Sequence, residues 1–382
     1  MATQNTTPSS AAAYPTYTAP KPEDEARDEE TKRRHMHILA EYKKQLYRSP
    51  QLKDLFLELT LRCNENCLHC GSRCGDVPSV ELTLEQYQTF LTGIKRDFAG
   101  ELPRLCITGG EPLLRKDFWE LMGWAHEQGF HWGMTSNATL ITPQTAHRLR
   151  ETGMTTISVS IDGLEASHDA FRRTPGAYRR AMQGIQNLID EGGFQHIQVT
   201  TVMNHRTIHE LEAMYEIFEN IDIDSWRIVG MEPIGRALEH PDLLMKPEDH
   251  RYLLDFIRDK RKEDMPLLYG CSHYLGPEYE TEVRDWYFLC NAGIYVASVM
   301  ANGDIGACLD IERRPETIMG NILRDDFKDV WYNRFQIFRQ NPGSKCSTCT
   351  GCDSYEFCGG GSWHSWDLTR NEQKVCMKDV LF

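Results

Sequence analysis

The sequence predicts an α/β protein in which helices cover a parallel sheet, followed by a smaller cysteine-rich domain. Strand-like and helix-like stretches alternate from residue 55 to about residue 230, which gives six βα units in series and therefore either an open parallel sheet or a partial barrel. Seven of the thirteen cysteines lie between residues 290 and 376. With 382 residues, the chain is long enough for two or more domains with full-sized cores.

Hydrophobic periodicity places the individual elements. Apolar residues recur at helical spacing from residue 36 to 47, which predicts a helix ahead of the first strand. Thr83 with Gln86 has the spacing of a capping box, and Thr142 followed by Pro143 is typical of a helix start. The predicted strands are 55–61, 104–108, 131–135, 155–161, 196–202 and 226–229, and the helices between them are 84–98, 118–128, 143–151, 178–191 and 208–219.

The chain divides into three predicted segments. Residues 1–35 contain no Leu, Ile, Val or Phe, so they cannot bury enough apolar surface to offset their chain entropy, and we expect a disordered tail. Residues 36–265 contain the βα units and form the predicted core domain. Residues 266–382 form the smaller cysteine-rich domain.

Composition excludes several classes of function. The formal net charge of -14 argues against nucleic acid as the main partner, because phosphate binding needs a basic surface. No apolar run approaches the length of a membrane span, and the N-terminus lacks the apolar core of a signal peptide. We therefore expect a cytoplasmic protein without a membrane partner, in which the cysteines stay reduced.

The first cysteine motif follows the first predicted strand. Cys63, Cys67 and Cys70 have C-x3-C-x2-C spacing, and soft thiolates this close together indicate a metal site. Three thiolates can hold three corners of a four-iron cluster and leave one iron with an open coordination position. The alternative is a structural zinc site, for which His69 or Cys74 would supply the fourth ligand.

A second motif, Thr108-Gly109-Gly110-Glu111-Pro112, ends the second predicted strand. Together with the cysteine triplet and its ring residue His69, it resembles the signature of the radical S-adenosylmethionine (radical SAM) superfamily. The resemblance covers about residues 55–380. It implies a six-stranded partial barrel, (β/α)6, that holds a [4Fe-4S] cluster with an open iron. SAM would chelate that iron, and its reductive cleavage would give a 5'-deoxyadenosyl radical that abstracts hydrogen from a substrate.

The resemblance also implies which residues contact SAM. The Gly-Gly-Glu element would bind the methionyl amino group, for which a plain turn is the alternative. Strand four would line the ribose and the carboxylate, and Arg172 or Arg173 would hold that carboxylate, unless these arginines merely form a solvated helix start. The segment 232–237 also resembles the family, with no assigned role. The expected cofactor-binding residues are His69, Gly109, Gly110, Glu111, Pro112, Ser136, Asn137, Ser160, Asp162 and Arg172.

The late cysteines resemble the SPASM extension, which holds auxiliary iron-sulfur clusters in related enzymes; a zinc ribbon is the alternative. One departure stands out, because Ser362 occupies a position where the pattern has a cysteine. One cluster would be complete, whereas the other would have only two cysteines, with Cys346 or Cys271 as candidate substitutes. The expected metal ligands here are Cys290, Cys308, Cys346, Cys349, Cys352, Cys358 and Cys376, of which Cys349, Cys352, Cys358 and Cys376 form the complete set. Cys74 and Cys106 are expected to be structural.

The resemblance favours an enzyme that modifies a peptide or protein, as in sulfatase maturation or the maturation of ribosomally made peptides. The alternative is a small-molecule substrate in cofactor, tetrapyrrole or aminoglycoside biosynthesis, and a non-catalytic electron carrier or scaffold is a third class. A flavodoxin- or ferredoxin-type protein would supply the electron. Asp310 is a candidate catalytic base, although an exposed turn aspartate is the alternative.

Overall fold

The computed structural model describes residues 29–76, 80–263, 265–270 and 273–381. Six parallel strands pair with one another in chain order, as the predicted partial barrel requires. They are β1 (Asp54–Glu58), β2 (Arg104–Thr108), β3 (Trp132–Ser136), β4 (Met154–Ser160), β5 (His196–Met203) and β6 (Ser225–Gly230). A short seventh strand, β7 (Leu267–Tyr269), extends the sheet beyond β6.

Helices connect these strands and cover the outside of the sheet. They are α1 (Glu29–Arg48), α2 (Leu84–Asp97), α3 (Phe118–Glu127), α4 (Pro143–Glu151), α5 (Glu165–Arg172), α6 (Ala177–Glu191), α7 (Leu211–Phe218) and α8 (Pro247–Lys260). The predicted starts of α2 and α4 are confirmed, since Thr83 and Gln86 form a capping box and Thr142 accepts from the backbone N–H of Thr145. None of the helices described is long and apolar enough to cross a membrane.

Helix α1 begins at Glu29, so it includes part of the segment 1–35 that was predicted to be disordered. The remainder of that segment, residues 1–28, lies outside the described residues. Helix α5 was not predicted, because its eight residues carry no long apolar period.

The cysteine-rich region joins the same sheet. Strand β8 (Val296–Val299) pairs in parallel with β1, and β9 (Asp304–Gly306) and β10 (Gly320–Asn321) add antiparallel strands beyond it. Within the described part of the chain, the sheet therefore has ten strands and crosses the predicted boundary at residue 265. The remaining elements are α9 (Gly276–Tyr279), α10 (Phe327–Asn333), α11 (Ser347–Thr350), α12 (Tyr355–Cys358), β11 (Trp366–Asp367), β12 (Glu372–Gln373) and α13 (Lys378–Leu381).

Glu58, the last residue of β1, ties three parts of the fold together. Its carboxylate is fully buried and accepts hydrogen bonds from the hydroxyl of Ser72, at 2.8 Å, and the backbone N–H of Ala301, at 3.2 Å. Arg313, from the cysteine-rich region, forms an ion pair with the same carboxylate. The buried carboxylate of Glu58 thus connects the end of β1 to the loop that follows it and to the cysteine-rich region.

The variant Arg313→Met should lower the free energy of unfolding by about 3 kcal/mol, because it removes the cation paired with the buried carboxylate of Glu58. Denaturant unfolding followed by circular dichroism measures this change. The exposed Arg324 offers a matched control, and Arg324→Met should stay within about 0.5 kcal/mol of the wild type. Equal midpoints for Arg313→Met and the wild type would show that the ion pair does not connect the two regions energetically.

Candidate active site

The three cysteines lie on a loop, residues 62–76, that follows β1 at the carboxyl edge of the sheet; we call it the cysteine loop. Their side chains are half-buried, and the charge of Cys70 acts on both Cys63 and Cys67. Burial raises the pKa of the Cys63 thiol to about 11 and that of Cys67 further still. Because ligating thiols must be deprotonated, binding of a metal cluster here would release protons.

A fourth thiol lies beside the triplet. The backbone N–H of Cys74 donates to the sulfur of Cys70 at 3.3 Å, and the Cys74 thiol lies 3.5 Å from the carbonyl oxygen of Gly109. A side-chain hydrogen bond with Cys74 lowers the pKa of Cys70, and the same contact raises the pKa of Cys74. Cys74 is buried, and its structural role stays a prediction.

Arg236 holds the cysteine loop from the other side of the barrel mouth. Its guanidinium donates to the carbonyl oxygens of Cys67, at 2.5 Å, and Cys74, at 2.8 Å, and pairs with Asp76. A side-chain carbon added at Gly235 would lie 2.4 Å from the carbonyl oxygen of Cys70, so only glycine allows this approach. The sequence singled out the segment 232–237 without a role, and the structure supplies one.

The Gly-Gly-Glu element packs directly on the end of β1. A side-chain carbon at Gly109 would lie 2.3 Å from the carbonyl oxygen of Thr60, and one at Gly110 would lie 2.0 Å from that of Arg62. The backbone N–H of Gly110 donates to Thr60 O at 2.7 Å, and that of Glu111 donates to Arg62 O at 2.9 Å. Both glycines are therefore required by backbone packing, whatever contact they also make with SAM.

Glu111 is fully buried at the end of β2, where Ser136 and Asn137 both donate to it. The hydroxyl of Ser136 lies 2.9 Å from Oε2, and the backbone N–H of Asn137 lies 3.0 Å from it. Burial raises the pKa of Glu111 to about 7, although these donors oppose the shift. The structure thus brings together three residues that the sequence assigned to SAM; their contact with SAM stays a prediction.

Asp162 and Arg172 form a buried ion-pair network with Glu65 of the cysteine loop. Arg172 contacts Asp162 at 2.8 Å and Glu65 at 2.7 Å, and all three side chains are almost completely buried. Burial alone would raise the pKa of Asp162, but the Arg172 guanidinium holds it below its usual value. The alternative that Arg172 forms a solvated helix start is wrong, because this residue ends α5 and is 5% exposed.

His69 of the cysteine loop also contacts this ion-pair network. Its ring stacks on Phe171 with 4.5 Å between centroids and 8° between planes, and its Nε2 lies 3.7 Å from Asp162. Burial lowers the pKa of His69 to about 4, so the ring is neutral near pH 7. Ser160 lies on the face of β4 opposite the buried Val159.

A second group of thiols surrounds a cavity of about 430 Å³, which we call the auxiliary cavity. Lys378 lies 3.5 Å from the sulfur of Cys352, and the side-chain amide of Gln373 lies 3.7 Å from that of Cys358. The auxiliary cavity is lined by Cys346, Cys349, Cys352, Cys358 and Cys376. Cys346 therefore lies with the predicted four-cysteine set. Cys271, the other candidate substitute, lies outside the described residues.

Cys290 and Cys308, which were predicted to ligate a second auxiliary cluster, are not among the residues that line the auxiliary cavity. Cys290 packs in a cluster with Met36 of α1, and Cys308 lies 4.0 Å from the exposed Asp310. Ser362 is buried, and its hydroxyl lies 2.9 Å from that of Ser365 and 3.3 Å from Nε2 of His364. Ser362 is thus part of a polar contact within the late region.

The residues present fit iron-sulfur clusters and SAM. The cysteine loop supplies three thiols to one place, and the auxiliary cavity has more thiols than the four that a cubane cluster needs. Among the described residues, no three His, Cys, Asp or Glu side chains converge closely enough to hold a single metal ion.

Comparisons with known proteins agree with this interpretation. A family model described as the radical SAM superfamily matches residues 57–218, and one described as the SPASM iron-sulfur cluster-binding domain matches residues 290–353. AdoMet-dependent heme synthase from Methanosarcina barkeri is 29% identical over 79% of this chain and 89% of its own length. Mycofactocin maturase MftC from Mycobacterium tuberculosis is also 29% identical, over 80% of this chain and 76% of its own length.

A solved structure shares the fold. Streptococcus suis SuiB bound to S-adenosylmethionine has a TM-score of 0.68 at 19% identity, covering 90% of this chain and 80% of SuiB. SuiB has also been solved with its precursor peptide SuiA. The predicted partial barrel with a SPASM-type domain is confirmed.

The variant Arg236→Met should bind about four fewer iron atoms per chain, because the cysteine loop loses four hydrogen bonds from the guanidinium that positions it. Iron and sulfide analysis after anaerobic reconstitution measures this loss. Arg206→Met, which removes an exposed arginine paired with Asp242, is the matched control and should keep its full iron content. Full iron content in Arg236→Met would contradict the role of Arg236 in holding the loop.

Proposed function

The chain is a radical SAM enzyme with a SPASM-type extension, and we propose that it modifies a side chain or α-carbon of a peptide or protein substrate. When bound, the cluster and SAM supply a 5'-deoxyadenosyl radical that abstracts hydrogen from an unactivated carbon. Cys63, Cys67 and Cys70 would hold the cluster, and Glu111 would accept a hydrogen bond from the amino group of SAM. The observation that carries this proposal is the triplet of thiols held against the buried Glu111 at one edge of the sheet.

The remaining residues of the site hold the cysteine loop in position and surround it with fixed charges. Arg236 holds the cysteine loop in place, and the His69 ring, stacked on Phe171, lies 3.7 Å from the buried Asp162. Asp162 and Arg172 keep each other charged in a buried environment, so they provide a fixed electrostatic framework next to the loop. Direct contacts of Ser160, Asp162 and Arg172 with SAM are part of the proposal.

Charge pairing around the barrel mouth supports a peptide over a polycarboxylate substrate. Each of five arginines near the cysteine loop is paired with a carboxylate of the chain. A macrocycle with several carboxylates would meet guanidinium groups that are already neutralised. The pairs are Arg62–Glu81, Arg73–Glu239, Arg172–Asp162, Arg236–Asp76 and Arg313–Glu58.

Similarity to known proteins supports both the peptide and the tetrapyrrole alternative. The mycofactocin maturase relative and the fold shared with SuiB, which was solved with a precursor peptide, favour the former. The heme synthase relative, at the same identity and over a larger share of its own length, favours a tetrapyrrole substrate as the second candidate.

We also propose the setting in which the enzyme works. A cluster with an open iron needs a reducing compartment and a strong electron donor, which makes the cytoplasm and a flavodoxin- or ferredoxin-type protein the expected location and partner. Asp310 is exposed next to Cys308 and is available as a base for a bound substrate.

Reduced, reconstituted protein should cleave SAM to methionine and 5'-deoxyadenosine, measured by liquid chromatography and mass spectrometry. A pool of synthetic peptides should increase the rate, whereas Fe-coproporphyrin III should neither increase it nor change its own visible absorption on mixing. Cys67→Ala should lose the activity, and Cys106→Ala, a thiol in β2 away from the cysteine loop, should keep it. Stimulation by the porphyrin and not by peptides would replace the peptide proposal with the tetrapyrrole alternative.

A further inference from the structure

Helix α1 packs on the cysteine-rich region, although it precedes the barrel in the chain. Its apolar residues Met36 and Leu39 belong to one buried cluster with Tyr274, Tyr287 and Phe288. Cys290 and Cys358, a thiol from each of the two late cysteine sets, pack against the same cluster. The helix therefore packs beside one thiol from each late cysteine set.

Lys43 lies one helical turn after Leu39 and on the same face of α1. Only 8% of Lys43 is exposed, and its ammonium nitrogen lies 5.7 Å from the centre of the Tyr47 ring. The charges of Cys290 and Cys358 both act on this ammonium group. The buried amino group of Lys43 thus lies within electrostatic range of a thiol from each late cysteine set.

Lys44, the next residue of α1, is an exposed lysine with which the burial of Lys43 can be compared. The Lys44 side chain is 58% exposed and pairs with Glu41, which is also exposed. Burial of an ammonium group is unfavourable unless nearby negative charge compensates it, and burial lowers the pKa of Lys43 accordingly. Thiolates that ligate an iron-sulfur cluster would provide such negative charge.

A fixed positive charge stabilises the reduced form of a cluster more than its oxidised form, because reduction adds negative charge. Hydrogen bonds and charges near the sulfur ligands are the usual means by which a protein sets the reduction potential. Lys378, at 3.5 Å from Cys352, is also close to a ligand, but its contact is exposed and therefore screened by solvent. The buried Lys43 is screened less.

We propose that the buried ammonium group of Lys43, presented by α1, raises the reduction potential of the auxiliary cluster held at Cys349, Cys352, Cys358 and Cys376. This inference rests on the proposed function only in that the auxiliary cavity holds an iron-sulfur cluster. It assigns α1 an electrostatic role in the enzyme.

The experiment is a potentiometric titration, followed by electron paramagnetic resonance, of the full chain with Cys63, Cys67 and Cys70 changed to Ala. In that background the signals come from the auxiliary region alone. In Lys43→Met, the equilibrium constant for one-electron reduction of the auxiliary cluster should fall at least tenfold. This corresponds to a reduction potential at least 59 mV lower for a one-electron couple. Lys43→Arg should restore a potential near that of the parent, and Lys44→Met should not change it.

Iron content is measured in parallel, so that a shift is compared only between variants with the same cluster loading. Because Lys43→Met could fail to load a cluster, Lys43→Gln is titrated beside it. An unchanged potential in either neutral variant at full iron content overturns the proposal, as does an absence of iron at the auxiliary cysteines of the parent. Neither readout needs SAM or substrate, so a failure here is separate from a failure of SAM cleavage or of the peptide proposal.

Discussion

Close backbone packing between the end of β1 and the Gly109-Gly110 turn fixes the geometry of the whole site. The carbonyl oxygens of Thr60 and Arg62 occupy the space where side chains on the two glycines would otherwise project. This contact sets where the cysteine loop starts and where Glu111 points. The other contacts of the site are made to the cysteine loop that starts at this point. They include the hydrogen bonds from Arg236 and the stacking of His69 on Phe171.

Arginines hold several of the buried carboxylates of the site. Asp162 and Glu65 share Arg172, and Glu58 accepts from Arg313 and Ser72. Buried pairs of this kind add little net stability compared with apolar packing, but removal of one partner is costly. Their value here is positional, because they link the cysteine loop to α5 on one side and to the cysteine-rich region on the other.

The sequence predicts the strands and the cysteine motifs well because both are local signals. Apolar alternation located β2 and β5 to within a residue, and the spacing of Cys63, Cys67 and Cys70 needs no tertiary information. In contrast, two contacts join residues that are far apart in the chain. They are the pairing of β8 with β1 and the hydrogen bonds from Arg236 to the cysteine loop. No local pattern encodes such contacts, and the segment 232–237 was singled out only by its resemblance to the family, without a role. Arg172 shows the same limit, since its burial depends on Glu65 and Asp162 together.

The most direct test of this account is the iron and sulfide content of the reconstituted protein before and after Cys63, Cys67 and Cys70 are all changed to Ala. The account predicts a loss of about four irons per chain, from about twelve to eight if two auxiliary clusters are present or from about eight to four if Ser362 leaves only one. Iron content unchanged by the triple substitution, or zinc in place of iron in the parent protein, would contradict it.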